Sequence, residues 1–242
     1  MKQRKDSARR IHVSTDVYDI EIDTFGGDVR ILKLKKYPVS VDQPDQPTVL
    51  MSDIPPEWYV AQSGLIGRAG SYPNHKTVYT AKADHYEMGK DGELVVPLYW
   101  NDANGVQYIK EYVFTPDHYL IQVRYRINNQ SGKSLAVYPY GQLVRKHMAK
   151  HKPGLTSTDR SYTGAAMYTP SDKFQKLKYD EILEKPLTRK ARSGWVAMLQ
   201  HYFTSIWILP EGDWTLYTKA LDGERYAVGF NANAPVNIAP GS

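Results

Sequence analysis

Apolar and polar residues alternate along most of this chain. In "VYDIEID", Tyr18, Ile20 and Ile22 fall on one face and Asp19, Glu21 and Asp23 on the other, the pattern of a half-buried strand. Gly26 and Gly27 in "TFGGDV" permit the positive φ values of a tight hairpin, which predicts that "RILKLKKY" returns as the partner strand. Five prolines between positions 38 and 57 predict a surface excursion rather than a ladder. "ELVVPLYW", "VQYIKEYVF" and "YLIQVRYRI" then follow one another through the turn signals "NDANG" and "TPDH". They predict an antiparallel meander that continues, after "NNQSGKS", into "LAVYPYGQLV". The best helical candidate is one short piece near "SDKFQKLKYDEIL". Strands of this number and spacing predict an all-β fold, a large antiparallel β-sandwich with little helix.

The most apolar stretch is "SGWVAMLQHYFTSIWIL", residues 193 to 209. Its two runs, broken at Gln200 and His201, fall short of the roughly 20 apolar residues a membrane-spanning helix needs. Wound as a helix, it would align Trp195, Met198, Leu199, Tyr202, Ile206 and Leu209, but its β-branched and aromatic residues favour strands. The expectation is two consecutive core strands joined near Gln200 and His201, with any exposed aromatic along them a candidate for partner contact.

Composition narrows the function classes. Tyrosine occurs 19 times against 5 phenylalanines, which fits half-buried β surfaces. The net charge is +5, but Lys2, Arg4, Lys5, Arg9 and Arg10 against Asp6 place +4 in the first ten residues and leave +1 for positions 11 to 242. A nearly neutral globular part lacks the broad basic face of a nucleic-acid binder. Residues 1–10 read as a flexible basic tail or linker and 11–242 as a single β-sandwich domain. Because the strand pattern starts at once at Ile11 and the chain stops at "NIAPGS", the expectation is a segment of a longer protein. Two local basic clusters remain, Arg145, Lys146, Lys150 and Lys152 in one and Lys185, Arg189, Lys190 and Arg192 in the other. They read as solvated loops, with contact to an anionic membrane surface as the sharper alternative. Cysteine is absent, which removes disulfides, thiolate nucleophiles and Cys-based metal sites.

Catalytic signals are weak. His147 and His151 in "HMAKH" have a metal-binding spacing, but the glutamate of HExxH is missing and Lys146, Lys150 and Lys152 oppose a cation. No G-x-S-x-G elbow exposes a nucleophile. Gly64, Gly67 and Gly70 in "SGLIGRAG" lack the Lys-Ser/Thr ending of a phosphate loop. No cofactor or metal is expected.

"TDVYDIEIDTFGGDV", "YVAQSGLIGR", "YGQLV", "YTGAAMYTP" and "GWVAMLQHYFTSIWIL", in this order, resemble the large periplasmic domain of the YidC-type membrane protein insertases of Gram-negative bacteria over residues 11 to 242. The resemblance implies a β-supersandwich similar to the galactose mutarotase-like fold. It also implies a periplasmic location between two transmembrane helices of an inner-membrane protein that lie outside this segment, and no catalytic activity. The implied role is a binding and scaffolding one. Its partners would be the Sec translocon, including SecDF, and nascent membrane proteins. The region implied for SecF contact is roughly Asp159 to Ile208. Within it the aromatic residues Tyr162, Trp195, Tyr202, Phe203 and Trp207 are the candidate contacts, while Arg145, Lys146, Lys150 and Lys152 are candidates for anionic lipid headgroups. The rival reading, suggested by the fold alone, is a mutarotase-like carbohydrate-binding or aldose-epimerising protein. It would need a converging His and Glu, and no such pair is marked.

Overall fold

The computed structural model describes residues 7–67, 71–90, 92–147 and 163–242. The chain divides into two compact units, Met1–Asp53 with Gln62–Pro139 and Pro235–Ser242, and Ile54–Ala61 with Tyr140–Ala234. Among the described residues the chain is all-β apart from one six-residue helix.

In the first unit, β1 (Arg10–Ser14), β2 (Tyr18–Asp23), β3 (Asp28–Pro38) and β4 (Pro47–Met51) precede β5 (Tyr59–Ile66), which belongs to this unit from Gln62, and β6 (His85–Glu87). They pair in the order β5-β3-β2-β1-β6, with β4 added to β3. Gly26 and Gly27 have φ of +87° and +57° and turn β2 into β3 as the sequence predicts. Tyr18, Ile20 and Ile22 are buried. The proline-rich excursion is only partly irregular, because Pro47–Met51 pairs with β3 and its proline sits at the strand start, where a missing N–H is tolerated.

A second, three-stranded sheet of this unit is β7 (Leu94–Asn101), β8 (Val106–Phe114) and β9 (Ile121–Asn129). The expected meander ends here. The next strand, β10 (Leu135–Lys146), does not join β9; its first residues pair with Val236–Ile238. Periodicity recognises a strand but not its long-range partner. On β8, the middle strand, Tyr108, Lys110, Tyr112 and Phe114 share one face and are all buried.

The second unit holds the rest of β10, from Tyr140, followed by β11 (Gly164–Thr169), β12 (Lys173–Leu177) and α1 (Tyr179–Glu184). Then come β13 (Thr188–Ala191), β14 (Gly194–Leu199), β15 (Thr204–Leu209), β16 (Trp214–Leu221) and β17 (Arg225–Ala232). The segment expected to be helical divides instead, with Lys173–Leu177 a strand and only Tyr179–Glu184 a helix: Lys173–Leu177 pairs along β11, with Phe174 and Lys176 exposed and Gln175 and Leu177 half-buried, a tertiary pairing that overrides the three-residue spacing of Phe174 and Leu177. One sheet orders β13-β16-β17-β10 and the other β12-β11-β14-β15.

The two sheets of this unit pack through Met167, Val196 and Trp207 on one side and Leu216, Phe230 and Gly141 on the other, each trio being cross-strand neighbours. Trp207 and Phe230 meet edge to face, with ring centroids 5.9 Å apart. A Cβ on Gly141 would lie 2.7 Å from the Phe230 ring and 3.2 Å from Trp207, so this position must lack a side chain. On α1, Tyr179 closes one end, its hydroxyl donating to Met198 Sδ at 3.7 Å and its ring tilted against those of His147 and Tyr226.

Candidate interaction surface

The segment 193–209 forms the β14–β15 hairpin, turning through His201 and Tyr202, with Gln200 and Phe203 exchanging both backbone hydrogen bonds. Two strands joined near Gln200 and His201 are thus present, with one correction. β15 is not a core strand on both faces. Among the described residues it ends its sheet with β14 as its only neighbour, and Ile206 and Ile208 are exposed, Ile208 by 63%. Periodicity could not reveal this, since every residue of "SIWIL" after Ser205 is apolar.

Register sorts the side chains. Phe174, Tyr168, Trp195 and Ile208 are successive cross-strand neighbours over β12, β11, β14 and β15. They form one row on the face directed away from the core. Trp195 stacks on Tyr168 with ring centroids 5.9 Å apart and planes at 14°, and Phe174 lies 5.8 Å from Trp195. Phe174 is exposed, while Tyr168 and Trp195 are half-buried. Gly194, φ +150°, lets β14 start against β11, where a Cβ would collide with the Tyr168 carbonyl oxygen.

Of the expected contact residues, Trp195 lies in this row and Tyr202 stands at the hairpin tip, 88% exposed with φ +70°. Phe203 is half-buried at the turn. Trp207 is on the opposite face, half-buried, with its ring edge to face against Phe230. Tyr162 lies outside the described residues. Sequence reading missed Phe174, Tyr168 and Ile208. "KFQKL" carries no period-two alternation, its apolar residues being three apart, so only the pairing with β11 shows that Phe174 joins this row.

Of the basic cluster, Arg145 and Lys146 are half-buried on β10, and Lys150 and Lys152 lie outside the described residues, as does His151. The Arg145 guanidinium sits 5.0 Å from the Tyr59 ring centroid. That cation–π contact fixes Arg145 and leaves Lys146 the more available charge.

Another concentration of charge, in the first unit, is wholly internal. Lys110 Nζ donates to Gly26 O at 3.3 Å and Ser63 O at 3.2 Å. Asp28 Oδ2 accepts from Arg30 at 3.1 Å and Gln62 at 2.8 Å. Tyr112 donates to Gly27 O at 2.6 Å. Burial, the largest effect, pushes the Asp28 carboxyl up to about 6, against Arg30 and Lys110, which lower it. The same burial pushes Lys110 down to about 8. This network fixes the Gly26–Gly27 turn beneath β8; with its side chains fully enclosed, it presents no reacting group to solvent.

A family model described as the YidC periplasmic domain matches residues 10–242. A membrane protein insertase YidC of Methylococcus capsulatus is 39% identical over 241 residues, covering 98% of this chain and 44% of its own length. That of Laribacter hongkongensis is 40% identical over 246 residues, covering 96% of this chain and 44% of its own. The chain thus spans less than half the length of these curated relatives. Among the described residues no helix is long and apolar enough to cross a membrane. Two solved structures share the fold. A galactose mutarotase related enzyme from Lactobacillus acidophilus has a TM-score of 0.59 at 8% identity, covering 97% of this chain and 94% of its own. A galactose mutarotase-like protein from Lactobacillus casei has 0.60 at 12% identity, covering 97% and 96%. At such identities the likeness is one of fold alone.

Proposed function

The chain belongs to the YidC periplasmic domain family, a family of membrane protein insertases and not of enzymes, and we propose that it serves its insertase as a binding and scaffolding module. The observation that carries this reading is the outward row Phe174, Tyr168, Trp195 and Ile208, with Tyr202 at the adjoining hairpin tip. Large aromatics held by their neighbours lose little side-chain entropy when a partner covers them, so they suit a binding hot spot.

The partners proposed are components of the Sec translocon, including SecDF, and nascent membrane proteins in the periplasm. Lys146, with its neighbours in the basic cluster, would add weak attraction to anionic lipid headgroups.

The test is a photo-activatable residue at Tyr202 in the full-length insertase in membranes, with one at Lys219, exposed on the other sheet of the same unit, as the control. Crosslinks to a translocon subunit or a nascent chain from position 202 and not 219 support the reading. Equal or absent crosslinking from the two positions contradicts it.

A further inference from the structure

An unpaired strand edge is a template for another strand, and proteins guard such edges with charge, proline or brevity. Among the described residues the other sheet edges are guarded. β12 carries Lys173 and Lys176, β13 Arg189 and Lys190, and β9 Arg124 and Arg126; β4 and β7 each contain a proline, and β6 and the Val236–Ile238 strand have three residues each. β15, Thr204–Leu209, has six residues, none charged and none proline.

The hairpin register fixes what this edge offers. Gln200 and Phe203 form a hydrogen-bonded pair, so the pairs alternate from there. Thr204, Ile206 and Ile208 occupy the non-hydrogen-bonded positions opposite Leu199, Ala197 and Trp195. Their N–H and C=O groups therefore point away from β14, into a side where no described strand pairs. Three such donor and acceptor sets repeat every two residues, about 6.8 Å. That spacing matches the backbone of an extended peptide, and no lipid or sugar carries it. The side chains of the same residues lie on the outward face, so an added strand would lengthen the row that runs from Phe174 to Ile208.

We propose that the outer edge of β15 is a strand-addition site that takes an extended, uncharged polypeptide segment with apolar side chains at alternate positions. The inference deepens the binding role above and rests on it. An uncharged β15 selects against charged segments, whose side chains would be desolvated beside Ile206 and Ile208 without partners.

The test uses the 242-residue chain and a capped ten-residue peptide of alternating valine and threonine, with a second version methylated at alternate backbone nitrogens. Amide hydrogen exchange at Ile206 and Ile208 should slow at least tenfold with the first peptide and not with the second. Ile206→Pro removes an outward donor and leaves the bonds to β14 intact, and Ile208→Lys adds the guard that other edges carry. Each should weaken peptide binding at least tenfold while the cooperative thermal transition persists. The proposal is overturned by absence of peptide binding, by binding without protection of those two amides, or by binding that both variants retain. It is overturned too by protection that appears without peptide and grows with protein concentration, since the occupant is then a second copy. In the full-length insertase, a crosslink from Tyr202 that survives Ile206→Pro sinks strand addition and leaves the binding role standing. Loss of that crosslink in the unaltered insertase, with peptide protection intact, sinks the binding role instead.

Discussion

Trp195 and Ile208 face each other across a non-hydrogen-bonded pair of the β14–β15 hairpin, one half-buried against Tyr168 and the other 63% exposed. Their neighbours in the same pairing, Val196 and Trp207, point to the opposite face and into the core. The two tryptophans of one hairpin therefore have different physical roles.

Substitution separates those roles. Trp207→Ala should cost about 3–5 kcal/mol, the range for an aromatic removed from a packed core. Trp195→Ala should cost less, about 1–2 kcal/mol, because its half-buried ring lies in the outward row against Tyr168 and Phe174 and its removal leaves an open groove and no closed cavity. Urea denaturation with a common slope checks the order, and equal costs would contradict the assignment of faces.

Tyr202 holds a left-handed backbone conformation that bulky residues seldom adopt. Tyr202→Gly relieves that strain, and stability should stay level or rise by up to about 1 kcal/mol. Partner crosslinking from the neighbouring His201 position should fall. A stability gain accompanied by undiminished crosslinking would show that the exposed ring has no part in binding.

Ionisation of the buried network gives the first unit a defined pH response. Unfolded Asp28 ionises near the ordinary value of about 4, and burial pushes the folded carboxyl up to about 6. Between these values the folded chain keeps a proton that the unfolded chain has lost, so stability falls as pH rises. For Lys110, pushed down to about 8, the folded chain has lost a proton that the unfolded chain keeps up to about 10.5. Stability therefore rises with pH over that interval. Each limb is on the order of 3 kcal/mol. Asp28→Asn should flatten the acid limb and Lys110→Met the alkaline one, measured by denaturation across pH; unchanged slopes would contradict the burial argument.

Lys146, the more available cation of the described part of its cluster, should govern weak association with vesicles of anionic lipid. Lys146→Glu should reduce cosedimentation at low salt, and the difference should vanish near physiological ionic strength, where the Debye length is about 8 Å. Binding unchanged at low salt would remove the lipid contribution.

Local chemistry made much of the fold legible. Gly26–Gly27 marked the first hairpin, and alternation in "VYDIEID" and "YLIQVRYRI" marked strands that are present. Which strands pair at long range was not legible, so β10 was assigned to the wrong sheet and β15 to the core. Lys110 shows the same limit. In "VQYIKEYVF" it is in phase with Tyr108 and Tyr112, yet a lysine reads as a solvent position until Asp28, Gly26 and Ser63 are brought around it from distant strands. The proposed binding face was legible only in part. Trp195 and Tyr202 belong to it, but Phe174 and Ile208 join them through cross-strand register, which one sequence does not display.

Hydrogen exchange on the full-length insertase, in membranes with and without the translocon, tests the central claim most directly. The account predicts that added protection within this domain concentrates on residues 164–177 and 194–209, with Ile206 and Ile208 among the most affected amides. Protection confined to β16 and β17, or none that depends on the translocon, would contradict it.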